Sequence, residues 1–316
     1  MRISPKSAMP QPCPSAGYYK HIFTILRKGY TMKANNTQSN LKFASPTAAL
    51  WLWLSIVAAL LAMAGNVIAL SVKSIYADLT PAFLPQALAQ DIANLAIVSP
   101  MWLVLAVLAW RGSLRAYLLW LGVLTFTVYN YVIYTFSIPF GSLFLLWVAV
   151  FGMCIYSLMG GVTAVDHQVV ESFFSSRRAT QVVAWFLIIT AILFCLLWLS
   201  EDLPALLSNT RPQSLVDLAL PTNPVHILDL GFFLPAVVAT GVMLIKRKSL
   251  AYTLAPAFIV FLILIGIPVL ITPVVQAVRG ETAAWGVVVP IGTLTGLLLG
   301  LLIWLLATIR PQERST

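Results

Sequence analysis

The sequence predicts an all-α fold, a polytopic transmembrane helix bundle of about eight spans. Three observations carry this. Of the 316 residues 60% are hydrophobic and 9% charged, with a mean hydropathy of +0.91, whereas a water-soluble domain has about 25% charged residues. Apolar runs close to the length needed to cross some 30 Å of hydrocarbon recur eight times. Lys and Arg gather in the short segments between alternate runs, which is how membrane topology distributes them.

In chain order, residues 1–47 carry seven basic and no acidic residues, with Pro5, Pro10, Pro12 and Pro14 near the start. No apolar core of suitable length precedes a small-residue cleavage site, so this is not read as a signal peptide. A basic amphipathic surface segment over Tyr18 to Tyr30 is one reading, and a disordered cytoplasmic tail is the preferred one; Met32 offers an alternative start. The spans are expected at about 49–71, 92–110, 116–136, 140–160, 181–200, 229–245, 251–277 and 285–309. This divides the chain into a tail at 1–47, spans one to four over 48–160, a cytoplasmic connector at 161–180, spans five to eight over 181–310 and a tail at 311–316. Gly266, Pro268 and Pro273 predict a kink or a broken outer end in the seventh span.

Orientation follows from the basic residues. Sixteen of the 19 Lys and Arg fall on the side of the N-terminus, and only Lys73, Arg211 and Arg279 on the other. The expected placement is a bacterial plasma membrane, with both termini cytoplasmic. That same confinement to loops argues against nucleic acid as the partner of the +9 net charge; the bilayer is the expected partner.

The connecting segments repeat a rhythm: long outside, short inside, short outside, in each set of four spans. The second span begins at Asp91, holds Pro100 and runs into Arg111, Ser113, Leu114, Ala116 and Tyr117. The sixth begins at Asp229, holds Pro235 and runs into Lys246, Ser249, Leu250, Ala251 and Tyr252. Allowing small gaps, these look like copies. Two parallel four-helix repeats, related by an axis along the membrane normal, would follow from an even number of spans per half. Coincidence between Leu- and Ala-rich segments is the competing explanation.

Ionisable groups inside a membrane are costly and so point to function. Here they are scarce. Asp91 and Asp229, at the outer starts of their spans, read first as N-caps. Thr127, Asn130, Tyr131 and Tyr134 fall on one stripe of the third span. With Asn66, Asn94 and the carboxylates, and with His226 at the lip, they define an expected polar recess opening outwards. Packing glue is the simpler role for the same groups. Gly292, Gly296 and Gly300 form a double G-x-x-x-G on the eighth span, suited first to helix packing within the bundle and, alternatively, to a homo-oligomer contact.

No nucleotide loop, dinucleotide fingerprint, H-E-x-x-H or G-x-S-x-G is present. His21, His167 and His226 are dispersed, and Cys13, Cys154 and Cys195 have no metal or disulfide spacing. No metal, no cofactor and no catalytic residue are assigned. Asp166, His167 and Glu171 are expected in a solvated connector.

Tyr129-Asn130-Tyr131 with Phe136, the segment Leu143 to Leu158, and His226 to Pro235 resemble stretches of uncharacterised multi-pass integral membrane proteins of bacteria. The resemblance covers spans two to six and implies topology and placement, with no reaction attached. The leading functional expectation is transport or binding of a small solute through the recess. The alternatives are a membrane-embedded enzyme acting on a lipid or lipid-linked substrate at the outer interface, and a non-catalytic assembly or scaffold protein.

Overall fold

The computed structural model describes residues 43–310. Residues 1–42 and 311–316, which hold most of the basic tail, Met32 and the C-terminal tail, lie outside the described residues. Among the described residues eight helices are long and apolar enough to cross a membrane: α1 (Ala48–Ser71), α2 (Leu84–Trp110), α3 (Leu114–Ser137), α4 (Phe144–Thr163), α5 (Arg177–Leu207), α6 (Pro224–Ile245), α7 (Ser249–Val278) and α8 (Trp285–Ala307). Short helices at His167–Phe173 and Gln213–Leu218 lie between them. Among the described residues there is no strand, only two isolated bridges. Large apolar side chains such as Trp53, Leu60, Val104, Leu145, Trp185, Leu193 and Ile303 stand exposed, which suits a surface bathed in lipid.

Several expectations are corrected at the helix ends. The second and sixth spans start at Leu84 and Pro224, ahead of Asp91 and Asp229, so neither aspartate is an N-cap. The sixth span is capped by Asn223, whose side-chain Oδ1 accepts from the Val225 and His226 backbone amides. The fifth span continues through Ser200, Glu201 and Asp202 to Leu207; polar residues end an apolar run without ending a helix. The seventh span runs as one helix through Pro256, Pro268 and Pro273, so its outer end is not broken. The interruptions sit elsewhere, as π-helical turns at Asn94–Val98 in α2 and Asp229–Phe233 in α6.

The structure strengthens the two-repeat reading and changes its register. The two π-turns begin 135 positions apart (229 minus 94), and α3 and α7 begin at the same spacing (249 minus 114). Without gaps, therefore, Asp91 pairs with His226 and Asn94 with Asp229. The turns joining α2 to α3 and α6 to α7 share one geometry. Gly112 and Arg247 take positive φ of 91° and 53°, and Ser113 N–H donates to Leu108 and Lys248 N–H to Met243, the bond pattern of a Schellman motif. Each half is also closed in the same way. Ala44 bridges Val165 and Phe174 bridges Ile309, each through two backbone bonds: Ser45 to Ala164 and Asp166 to Phe43, then Ser175 to Thr308 and Arg310 to Phe173.

These bridges, with the Arg115 guanidinium bond to the Ile309 carbonyl, tie the starts of α1, α3 and α5 to the ends of α4 and α8. This is called the basic end below, and the opposite one the far end. Phe43, expected in the tail, is fully buried here. The central pair is α3 and α7, the most buried spans. The α8 span is the least buried, and its glycine groove is not used inside the bundle. A Cβ at Gly296 or Gly300 would meet nothing within 4 Å, and one at Gly292 only Leu270 at 3.8 Å. The close approach between α7 and α8 is made instead by Gly266 against Thr295.

Candidate functional site

All the residues expected to line the recess are buried: Asn66, Asp91, Asn94, Asn130, Tyr131, Tyr134, His226 and Asp229. They divide between two clusters toward the far end, one in each half.

In the first half, two tyrosine hydroxyls hold the fully buried Asp91 carboxylate. Tyr134 donates to Oδ1 at 2.6 Å and Tyr76 to Oδ2 at 2.7 Å. Tyr76 belongs to the turn Lys73–Tyr76 after α1. Its burial, and then the neighbouring carboxylate, push its phenol well above the ordinary tyrosine value, so the hydroxyl keeps its proton and serves as a donor. Tyr131 stacks on Tyr134 with centroids 5.3 Å apart, and Trp147 meets Tyr134 edge-on at 5.4 Å.

Since α2 and α3 run antiparallel, Asn94 and Asn130 both lie about one turn from the Asp91–Tyr134 bond toward the basic end. Asn94 accepts from the Gln90 amide at 3.0 Å. The amide nitrogens of Asn66, Asn94 and Asn130 are buried without a partner among the described residues. Buried donors nearly always have one, so these three are chemically poised for an acceptor oxygen.

In the second half, Trp198 of α5 donates its indole N–H to Asp229 Oδ2 at 2.8 Å, and Tyr129 of α3 faces the same carboxylate. The indole also lies against the His226 ring, centroids 4.5 Å apart. His226 is no lip residue: its Nδ1 lies 3.0 and 3.1 Å from the Asp202 carboxylate oxygens, and its Nε2 lies 3.8 Å from Glu201. The second cluster thus repeats the first with the chemistry exchanged. Where the first half has an acid at position 91 and an amide at the π-turn, the second has an imidazole at position 226 and an acid at the π-turn. A π-turn widens the helix by one residue and is often found at functional sites.

Tyr76, Trp198, Glu201 and Asp202 were outside the expected set. Three of the four lie where the sequence reads as a connecting segment, and the aspartates gave no sign of which partners they would recruit. At the basic end, Asp166 caps His167–Phe173 by accepting from the Gln168 and Val169 amides. His167 Nδ1 lies 2.9 Å from the Thr253 hydroxyl of α7. The expected solvated connector is therefore docked on the bundle.

Comparison of the chain with family models, with curated proteins and with solved structures finds no match in any of the three.

Proposed function

We propose that this protein binds and carries a small polar solute bearing acceptor oxygens across a bacterial plasma membrane, with its basic end in the cytoplasm. The observation that carries the reading is the pair of π-interrupted helices, α2 and α6, each placing a buried carboxylate beside aromatic hydrogen-bond donors. Interrupted helices at the interface of repeats are how many carriers form their sites, and buried intramembrane acids are functional by default. The unpartnered amides of Asn66, Asn94 and Asn130 supply donors that a solute oxygen satisfies. The carboxylates, held by neutral donors, are suited to exchange a proton or cation as the site opens and closes.

The test is complementation of a deletion strain grown on a panel of single nutrients. Wild type restores growth on the transported solute, while Asp91→Asn, Asp229→Asn and Asn130→Leu insert normally and fail. Full complementation by all three sinks the carrier reading and brings forward the scaffold alternative.

A further inference from the structure

At the basic end a cavity of about 260 Å³ opens between the starts of α5 and α7, the end of α6 and the turn after His167–Phe173. Its polar lining includes Arg177, Arg247, Glu171, Thr180, Gln181 and Tyr252, with serines of the turn before α5. Its volume lies just under the roughly 300 Å³ at which pockets for drug-sized ligands begin, so it takes a group of headgroup size. Neither guanidinium makes a hydrogen bond or an ion pair among the described residues, although Glu171 lies close by. Both arginines and Glu171 line the cavity together with the Tyr252 phenol. Leu244, Ile245 and Phe174 form apolar walls.

Three features point to the ligand. Guanidinium forks match phosphate oxygens in geometry as well as charge. Two arginines against one glutamate leave a single positive charge, which matches a phosphodiester. Free inorganic phosphate carries nearer two negative charges at neutral pH, its second pKa being about 6. The apolar walls at the end of a membrane span suit the glycerol and first acyl carbons of a lipid.

The backbone adds a fourth. Arg247 sits at φ 53°, a left-handed conformation that side chains rarely adopt, while the equivalent position of the first half is Gly112 at φ 91°. The second half keeps an arginine where glycine fits better, and that arginine lines the cavity. A strained position maintained by its surroundings is a pointer to function.

We propose that this cavity binds the phosphodiester headgroup of an anionic phospholipid from the leaflet at the basic end. The test uses the full chain in nanodiscs of phosphatidylcholine with increasing phosphatidylglycerol, read by thermal midpoint and by lipid retention in native mass spectrometry. Wild type gains stability with phosphatidylglycerol and retains it. Arg247→Gly, which relieves the backbone, melts at or above the wild-type temperature in pure phosphatidylcholine, yet loses the phosphatidylglycerol shift and retains that lipid about 10- to 100-fold less, as expected for lost hydrogen bonds to a charged group. Glu171→Gln, with a second net charge, responds to millimolar inorganic phosphate where wild type does not. Equal retention by wild type and Arg247→Gly overturns the proposal, as does equal affinity of wild type for the two lipids. A wild-type response to inorganic phosphate without one to phosphatidylglycerol overturns the lipid as the source.

Discussion

Gly122 and Ala257 occupy equivalent positions in the two halves, 135 residues apart (257 minus 122), and they touch. A Cβ on Gly122 would stand 2.8 Å from the Ala257 carbonyl oxygen and 2.5 Å from Val260 Cβ. A residue meeting its own counterpart is what a two-fold axis requires, so the axis relating the halves passes between α3 and α7.

The first prediction follows from that contact. The atoms facing Gly122 include backbone, which cannot rotate away, so Gly122→Ala should destabilise the protein by about 1–3 kcal/mol, the usual cost of overpacking. Gly296→Ala, with nothing within 4 Å, should be neutral or slightly stabilising through better helix propensity. Thermal unfolding of both variants in detergent decides it. Equal effects would contradict the close α3–α7 approach.

A second prediction concerns the Asp91 bonds. Tyr76 and Tyr134 each donate to a different oxygen of one carboxylate, so the three groups form one network. Tyr134→Phe and Asp91→Asn should each cost stability, and the double variant should cost less than their sum by about 0.5–3 kcal/mol. Simple additivity would mean that the bond contributes nothing.

Much of this arrangement was legible in the sequence, for identifiable reasons. Bilayer thickness sets the length of an apolar run, so all eight spans were visible, and the cost of burying polar groups singled out Asp91, Asn130 and Asp229. What hydropathy misses is whatever lies past the hydrocarbon. Ser200, Glu201 and Asp202 end the apolar run of the fifth span while its helix continues, which hid the partners of His226. Tyr76 reached Asp91 from a turn whose sequence shows only an ordinary loop. The π-turns were invisible because one extra residue within a largely apolar stretch leaves no break in pattern. As a result Asp91 was aligned with Asp229, three positions from the register that the backbone supports.

A third prediction is a pH effect. Burial lowers the His167 pKa below its ordinary value of 6.5, with Asp166 acting weakly in opposition. A group whose native pKa is depressed in this way binds more protons when unfolded, so stability rises with pH. Its contribution is complete above about pH 6.5 and is lost as the pH falls through the lower native value. Acidification from pH 7.5 to 5 should therefore lower the thermal midpoint, and His167→Gln, which keeps a partner for Thr253, should reduce that loss. An unchanged pH profile in the variant would remove His167 as the cause.

The last prediction tests orientation. Thr222 is exposed in the segment between α5 and α6, at the far end, and Lys246 is exposed at the basic end after α6. In a background with Cys13 and Cys195 replaced by alanine, and with the buried Cys154 retained, Thr222→Cys should react with an impermeant maleimide added to intact cells. Lys246→Cys should react only once the membrane is permeabilised. The reasoning is that basic segments resist translocation, and the bundle gathers Arg111, Arg115, Arg177, Arg178, Lys246, Arg247 and Lys248 at one end of its helices. The two positions bracket a single span, α6, so no uncertainty about other spans enters the comparison. Labelling in the reverse order would invert the proposed placement and put the arginine-lined cavity on the outside, whereas labelling of both in intact cells would mean that α6 does not cross.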